Sequence, residues 1–181
     1  MGQKGIGMSN LAMDKDVDAP AIEIIDVLGP TIEFLSSDER ENDPCIMRSI
    51  IPPGVTVPLH SHPEPETFIA LSGRIEGLKE SAGNFEWVSI GLGDVFHVPG
   101  GVKHAFRNLS NDPAIIIVAA PLSVGRFFRE IGTPVAPGAQ PPGPPSAKVI
   151  KHFRETSERY GYWNATPEEN ARIGIFLGVP A

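Results

Sequence analysis

Residues 54–73 read GVTVPLHSHPEPETFIALSG, and residues 93–108 read GDVFHVPGGVKHAFRN. In extended chain, alternate side chains share a face, so His60 and His62 point to one side while Ser61 points away. Glu66 follows four residues later and, after the bend at Pro63-Glu64-Pro65, can re-enter the same space. His104 belongs to a separate strand, which closure of a barrel must bring near. Three imidazoles and one carboxylate then form a mixed nitrogen and oxygen set suited to one divalent transition metal, with Fe, Mn, Co, Ni, Zn and Cu all compatible. A metal that takes six ligands keeps two positions for water, substrate or oxygen. Three of the chain's five histidines lie in this pattern. Of the others, His97 reads as structural or as a neighbour of the ligands, and His152 as a surface helix residue.

Around these segments, residues 21–121 are a series of short apolar runs punctuated by Gly, Pro, Asn and Asp. Runs at 22–27, 31–35, 45–51, 67–71, 74–79, 85–90, 94–98, 104–108 and 114–120 have strand length and β-branched or aromatic content. Turn chemistry falls between them, at Pro52-Pro53-Gly54, Ser72-Gly73, Ala82-Gly83-Asn84 and Pro99-Gly100-Gly101. Many short strands at close spacing predict an all-β sandwich, jelly roll or barrel. Beyond Pro121 the pattern changes. Residues 123–131 carry Val124, Phe127, Phe128 and Ile131 at helical spacing, with Ser123 as the expected N-cap. Residues 133–145 are proline-rich, which excludes helix and central strand. Residues 146–160 and 166–174 predict two more helices, the second opened by a Thr166 cap followed by Pro167.

Gly54-x5-His60-x-His62-x3-Glu66-x6-Gly73 and Gly93-x5-Pro99-x-Gly101-x2-His104-x3-Asn108 match, in order, the two motifs of the cupin superfamily, which the chain therefore resembles. The resemblance implies a double-stranded β-helix, or jelly roll, over residues 21–121, with a tail at 1–20 and a helical, proline-rich extension at 122–181 packed on the barrel. It implies one divalent transition metal per chain held by His60, His62, Glu66 and His104, and a homodimer. Strand parity carries Phe68, Ala70 and Phe106 inward with the ligands, so an apolar, partly aromatic substrate pocket is expected, with Arg48 or Ser49 adding a polar contact. Glu66 is the expected catalytic base. The fold serves many reactions; open metal positions beside an apolar pocket point first to a quercetinase-like dioxygenase acting on a small aromatic or enolic compound. Isomerase or lyase chemistry on a hydroxy-carbonyl compound, and non-catalytic binding of a small molecule, are the alternatives.

A formal charge of -7 repels phosphate backbones and anionic lipid surfaces, and no basic block offsets it, so neither nucleic acid nor membrane is an expected partner. Cys45 is the single cysteine, which excludes an intrachain disulfide and suits a reducing cytoplasm. On an apolar strand it reads as a small buried hydrophobe. No window has the apolar length of a signal peptide or a membrane span.

Overall fold

The computed structural model describes residues 23–36, 43–81, 83–136, 143 and 145–176. The tail expected at 1–20 and part of the proline-rich stretch lie outside them. The strands are β1 (Ile24–Asp26), β2 (Thr31–Phe34), β3 (Pro44–Ile51), β4 (Thr56–Ser61), β5 (Glu66–Ser72), β6 (Arg74–Ser81), β7 (Asn84–Gly91), β8 (Val95–Val98), β9 (His104–Arg107), β10 (Ala114–Pro121), β11 (Thr133–Pro134) and β12 (Trp163–Asn164). The helices are α1 (Leu122–Ile131), α2 (Ala147–Tyr160) and α3 (Pro167–Arg172). No described helix is long and apolar enough to cross a membrane.

Antiparallel pairing builds two sheets, one ordered β11-β1-β2-β3-β10-β5-β8 and the other β12-β4-β9-β6-β7. This is the jelly-roll architecture: the crossovers between sheets bring β9 beside β4 and β5 although it is far from them in sequence. Strands β3, β5 and β10 alternate as a half-buried sheet should. Cys45, Met47, Ser49 and Ile51 of β3 and Ala114, Ile116, Val118 and Ala120 of β10 are buried, and the residues between them are more open. The inward rows meet Phe68, Ala70, Ile75, Ile90 and Phe106 in one core.

Turns hold these strands in place by specific contacts. Gly73 has φ +70, and a Cβ there would stand 2.5 Å from the Pro113 carbonyl oxygen, so the β5–β6 turn admits only glycine without displacement. Asn108, fully buried, donates its side-chain N–H groups to the carbonyls of Ile51 and Asp112 at 2.8 and 2.9 Å. Its Oδ1 accepts from the Ser110 backbone N–H and hydroxyl. Asn108→Ala should therefore strand the buried Ile51 carbonyl, remove three part-buried bonds and cost about 3 kcal/mol of stability, read as a lower urea midpoint at unchanged slope. A loss under about 0.5 kcal/mol would mean that water replaces the side chain without penalty.

Helix α1 starts at Leu122, one residue before its expected start. Because β10 runs directly into it, the N-cap is Pro121, no side chain caps the helix, and the Ser123 cap expected from sequence does not form. The Thr166 cap does form, as a reciprocal capping box with Glu169, and α2 is capped by Ser146, whose side chain accepts from Val149 N–H. The segment after α2 folds back over the outer face of the second sheet. There Ile173, Ile175 and Trp163 cover Leu59, Leu78, Ala105 and Trp87. Asn170 Oδ1 accepts from Leu59 N–H at 2.9 Å, and Trp87 Nε1–H donates to the Ile173 carbonyl at 2.9 Å.

Candidate metal centre

Alternation along β4 from Val57, which packs against the core, would place Leu59 inward and His60 outward. The opposite is found. Between Val57, opposite Phe106, and His60, opposite His104, the pairing with β9 shifts by one residue. This bulge re-aims the strand, so Leu59 lies outward beneath the C-terminal segment while His60 turns in beside His104, with ring centroids 4.1 Å apart. His62 follows just past the strand end, 5.1 Å from His104 by ring centroids. Glu66 opens β5 and is buried, as are His62 and His104.

One ligand atom from each of His60, His62 and His104 lies within 4.8 Å of the others. Glu66 Oε2 stands 3.2 Å from His62 Nε2 and 3.3 Å from His104 Nε2. All four residues expected from the motifs thus converge, with Glu66 beside two of the three rings. The hairpin carrying His104 is fastened to the His60–Glu66 segment by its backbone: Gly101 N–H donates to the His62 carbonyl at 2.7 Å. Any Cβ on Gly100 would run into the Pro63 carbonyl oxygen, so the two motifs touch main chain to main chain.

The donor set suits a metal on an observation independent of spacing. His60 Nδ1 and His104 Nδ1 lie 2.8 and 2.9 Å from the carbonyls of Pro58 and Val102. A carbonyl only accepts, so each Nδ1 carries the proton and each Nε2 presents a lone pair inward. His104 Nε2 is buried with no hydrogen-bond partner, and a buried acceptor in that position is satisfied by a cation.

The electrostatics fit a cluster of this kind. Desolvation, reinforced by the adjacent His104, lowers the His60 pKa to about 3. Burial would raise the Glu66 carboxyl, but the adjacent His104 and His62 rings outweigh it and lower the pKa to about 2. For His62 burial opposes the charged form, yet Glu66 and Glu64 together raise the pKa above the ordinary value. The unfolded chain takes up a proton at His60 near 6.5 and the folded chain only near 3, so between them the unfolded state binds more protons and stability falls as pH falls. Glu66 adds a loss of the same sign between 4.5 and 2. His62 works oppositely, its contribution complete below 6.5 and lost as pH climbs through its raised value. The metal-free protein should therefore melt at progressively lower temperature on acidification below about 6.5, and His60→Gln should flatten the upper part of that slope. A melting temperature that holds constant down to pH 4 would contradict the assignment.

The other expected site residues divide. Phe68, Ala70 and Phe106 do face inward, but they are packed in the core, with Phe68 and Phe106 rings 4.4 Å apart. Arg48 lies on the opposite face of β3 from the buried Met47 and Ser49 and pairs with Glu33 at 3.1 Å, so it contributes nothing to the centre. His97 is also outward, within 2.9 Å of the Thr67 hydroxyl, and His152 is exposed on α2. Beside His104 a cavity of about 460 Å³ opens between β8 and the β6–β7 hairpin, with Val88, Phe96 and Val98 among its walls and Lys79 on its lining. Phe96 had the right parity to be read from sequence, but nothing in the sequence says which face of β8 is inward. Tyr162, whose ring lies 5.0 Å from that of His62, arrives from the C-terminal extension and had no sequence signal.

Residues 47–120 match a family model described as a cupin domain. No curated protein matches the chain. Among solved structures it is similar to the cupin domain of an XRE family transcriptional regulator from Enterobacter cloacae, at 21% identity and TM-score 0.43 over 51% of this chain and 96% of that one. It is similar to Bacillus subtilis oxalate decarboxylase, whose Mn(II) centres have been characterised, at 23% identity and TM-score 0.47 over 54% of this chain and 27% of that one. Similarity to the DMSP lyase DddQ from Ruegeria pomeroyi is 25% in identity with TM-score 0.39, over 44% of this chain and 39% of the lyase. The chain thus spans well under half of either enzyme. The matched stretch runs from β3 to β10 and holds His60, His62, Glu66 and His104, so this part of the chain is a cupin domain.

Proposed function

We propose that the protein is a metal-dependent dioxygenase acting on a small aromatic or enolic compound. The observation that carries this reading is the cavity of single-ring size that His104 lines, next to the cluster it forms with His60, His62 and Glu66. A bound divalent ion would supply positive charge that acidifies a substrate hydroxyl and open positions where substrate and oxygen meet. The chain's own residues do the rest. The carbonyls of Pro58 and Val102 hold the His60 and His104 rings with Nε2 inward. Glu66, ionised and buried, receives the hydroxyl proton at Oε2. Val88, Phe96 and Val98 exclude water from the ring, and Lys79 and Glu80 supply the charged part of the lining.

The test is oxygen uptake by protein loaded in turn with Fe(II), Mn(II), Co(II), Ni(II) and Cu(II), against a panel of flavonols, catechols and 1,3-diketones. Metal-dependent uptake with at least one compound supports the reading. No uptake with any pair, together with anaerobic turnover of a hydroxy-carbonyl compound, replaces it with isomerase or lyase chemistry.

The expected partner is a second copy of the chain. Ile46, Ile50, Ile69, Ile115 and Ile117 lie half-buried on the outer face of the seven-stranded sheet, and Val95 beside Ile69 is 62% exposed. An apolar face of this kind, crossed by the Arg48–Glu33 ion pair, suits a two-fold contact. Light scattering at micromolar concentration should give twice the chain mass, and Ile69→Lys should give a monomer. A monomeric parent protein would refute the dimer.

A further inference from the structure

Three polar atoms around the cluster are buried and without a hydrogen-bond partner in addition to His104 Nε2, and they are neighbours: His62 Nδ1, Glu64 Oε2 and the Tyr162 hydroxyl. Glu64 Oε2 is 3.5 Å from His62 Nδ1, and the Tyr162 ring lies over His62 at 5.0 Å with a 36° tilt. Unlike His60 and His104, whose Nδ1 atoms are held by backbone carbonyls, His62 has only Glu64 on that side. A carboxylate accepts, an imidazole N–H donates and a phenol donates, so the three unmatched atoms are complementary in kind and can satisfy one another as a chain.

The fold delivers Tyr162 to this place by register. Helix α2 ends at Gly161 in the left-handed conformation, which turns the chain toward β4. Trp163 then pairs with Ser61 and Asn164 with His60, so the next antiparallel position sets Tyr162 opposite His62. Tyr162 N–H is held by the Ser157 carbonyl at 2.9 Å, and its ring packs on Phe127 of α1 at 4.5 Å. The tyrosine is fixed before it meets Glu64.

We propose that Glu64 and Tyr162 are positioning residues of the metal centre, in which the Tyr162 hydroxyl donates to the Glu64 carboxylate and that carboxylate accepts from His62 Nδ1–H, leaving Nε2 to bind. The C-terminal extension is then a working part of a site whose four donors all lie in the barrel. The inference rests on His62 being a ligand. Partners of this kind orient a ligating imidazole and raise its basicity, and their loss costs about 10–100-fold in metal affinity.

The experiment uses the full chain stripped of metal and titrated with Zn(II) in competition with a chromophoric chelator. Glu64→Ala should weaken Zn(II) binding about 10–100-fold and Glu64→Gln by less. Tyr162→Phe should weaken it several-fold, and the Glu64→Ala/Tyr162→Phe double variant no more than Glu64→Ala alone, because Tyr162 acts only through Glu64. The melting temperature of the metal-free variants serves as the structural control. Affinity within twofold of the parent for Glu64→Ala, additive losses, or losses that only track lower melting temperature would each overturn the proposal. If the parent chain binds no metal, it is the metal reading that fails, and nitrogen-15 NMR of the metal-free chain decides the rest. A slowly exchanging proton on His62 Nδ1 that is lost in Glu64→Ala supports the hydrogen-bonded chain, and an unprotonated Nδ1 in the parent rules it out.

Discussion

Loaded with a divalent transition metal and passed through a desalting column, the protein should retain one ion per chain, and the His62→Ala/His104→Ala variant should retain none. The expected loss in affinity exceeds about a thousandfold, since even a partner outside the ligand ring is worth 10–100-fold and two ligands are removed. The β-rich circular dichroism should survive. Both imidazoles stand beside the core, whose packing runs through Met47, Phe68, Ile75, Ile116 and Val118, and the turn bond lost with them is that from His104 Nδ1–H to the Val102 carbonyl. Their removal also relieves the unmatched buried nitrogens His62 Nδ1 and His104 Nε2. A double variant that keeps one ion per chain at unchanged affinity would mean that the metal binds elsewhere.

Glu66→Gln should lower turnover by about 10²–10⁴-fold at matched metal occupancy while the apparent substrate constant moves little, because the amide fills the same volume but is no base. With its pKa near 2 the carboxylate is ionised throughout the working range. So weak a base suits only a proton already acidified by a neighbouring positive charge, which is what a metal among His60, His62 and His104 provides. Occupancy must be measured for each preparation, since Oε2 stands within 3.3 Å of two ligand nitrogens and the substitution will also perturb binding. Turnover within about threefold of the parent at equal occupancy would remove Glu66 from the chemistry.

Much of this was legible in the sequence because it is local. Strand positions follow from glycine and proline punctuation, and the inward set Glu66, Phe68, Ala70 from period-two alternation. The ligand residues stood out because their spacing is set by strand geometry. What stayed hidden depends on contacts remote in the chain. The bulge before His60 is visible only once β9 lies beside β4, since the same residues in regular pairing would turn Leu59 in. Arg48 had two possible faces and took the one with Glu33, which is chosen by β2. Phe96, and not Phe68 or Phe106, walls the cavity because the sheet edges part at β8, a matter of how the two sheets close. The two-residue strands β11 and β12 carry no pattern of their own and exist because an edge strand was there to receive them.

The bond from Leu59 to Asn170 joins positions 111 residues apart. During synthesis at 5–20 residues per second, β4 therefore waits roughly ten seconds for the segment that will cover it. Once β9 has been made and paired with it, β4 is a bare sheet edge until β12 arrives, and the apolar surface of Leu59, Leu78 and Ala105 faces water. The most exposed moment in the life of the chain thus falls while it is still being made, on the strand that holds His60. A chain released short of residue 163 would keep that edge open permanently and pair it with its neighbours, so truncation at the C-terminus should show itself as aggregation before it shows as lost metal.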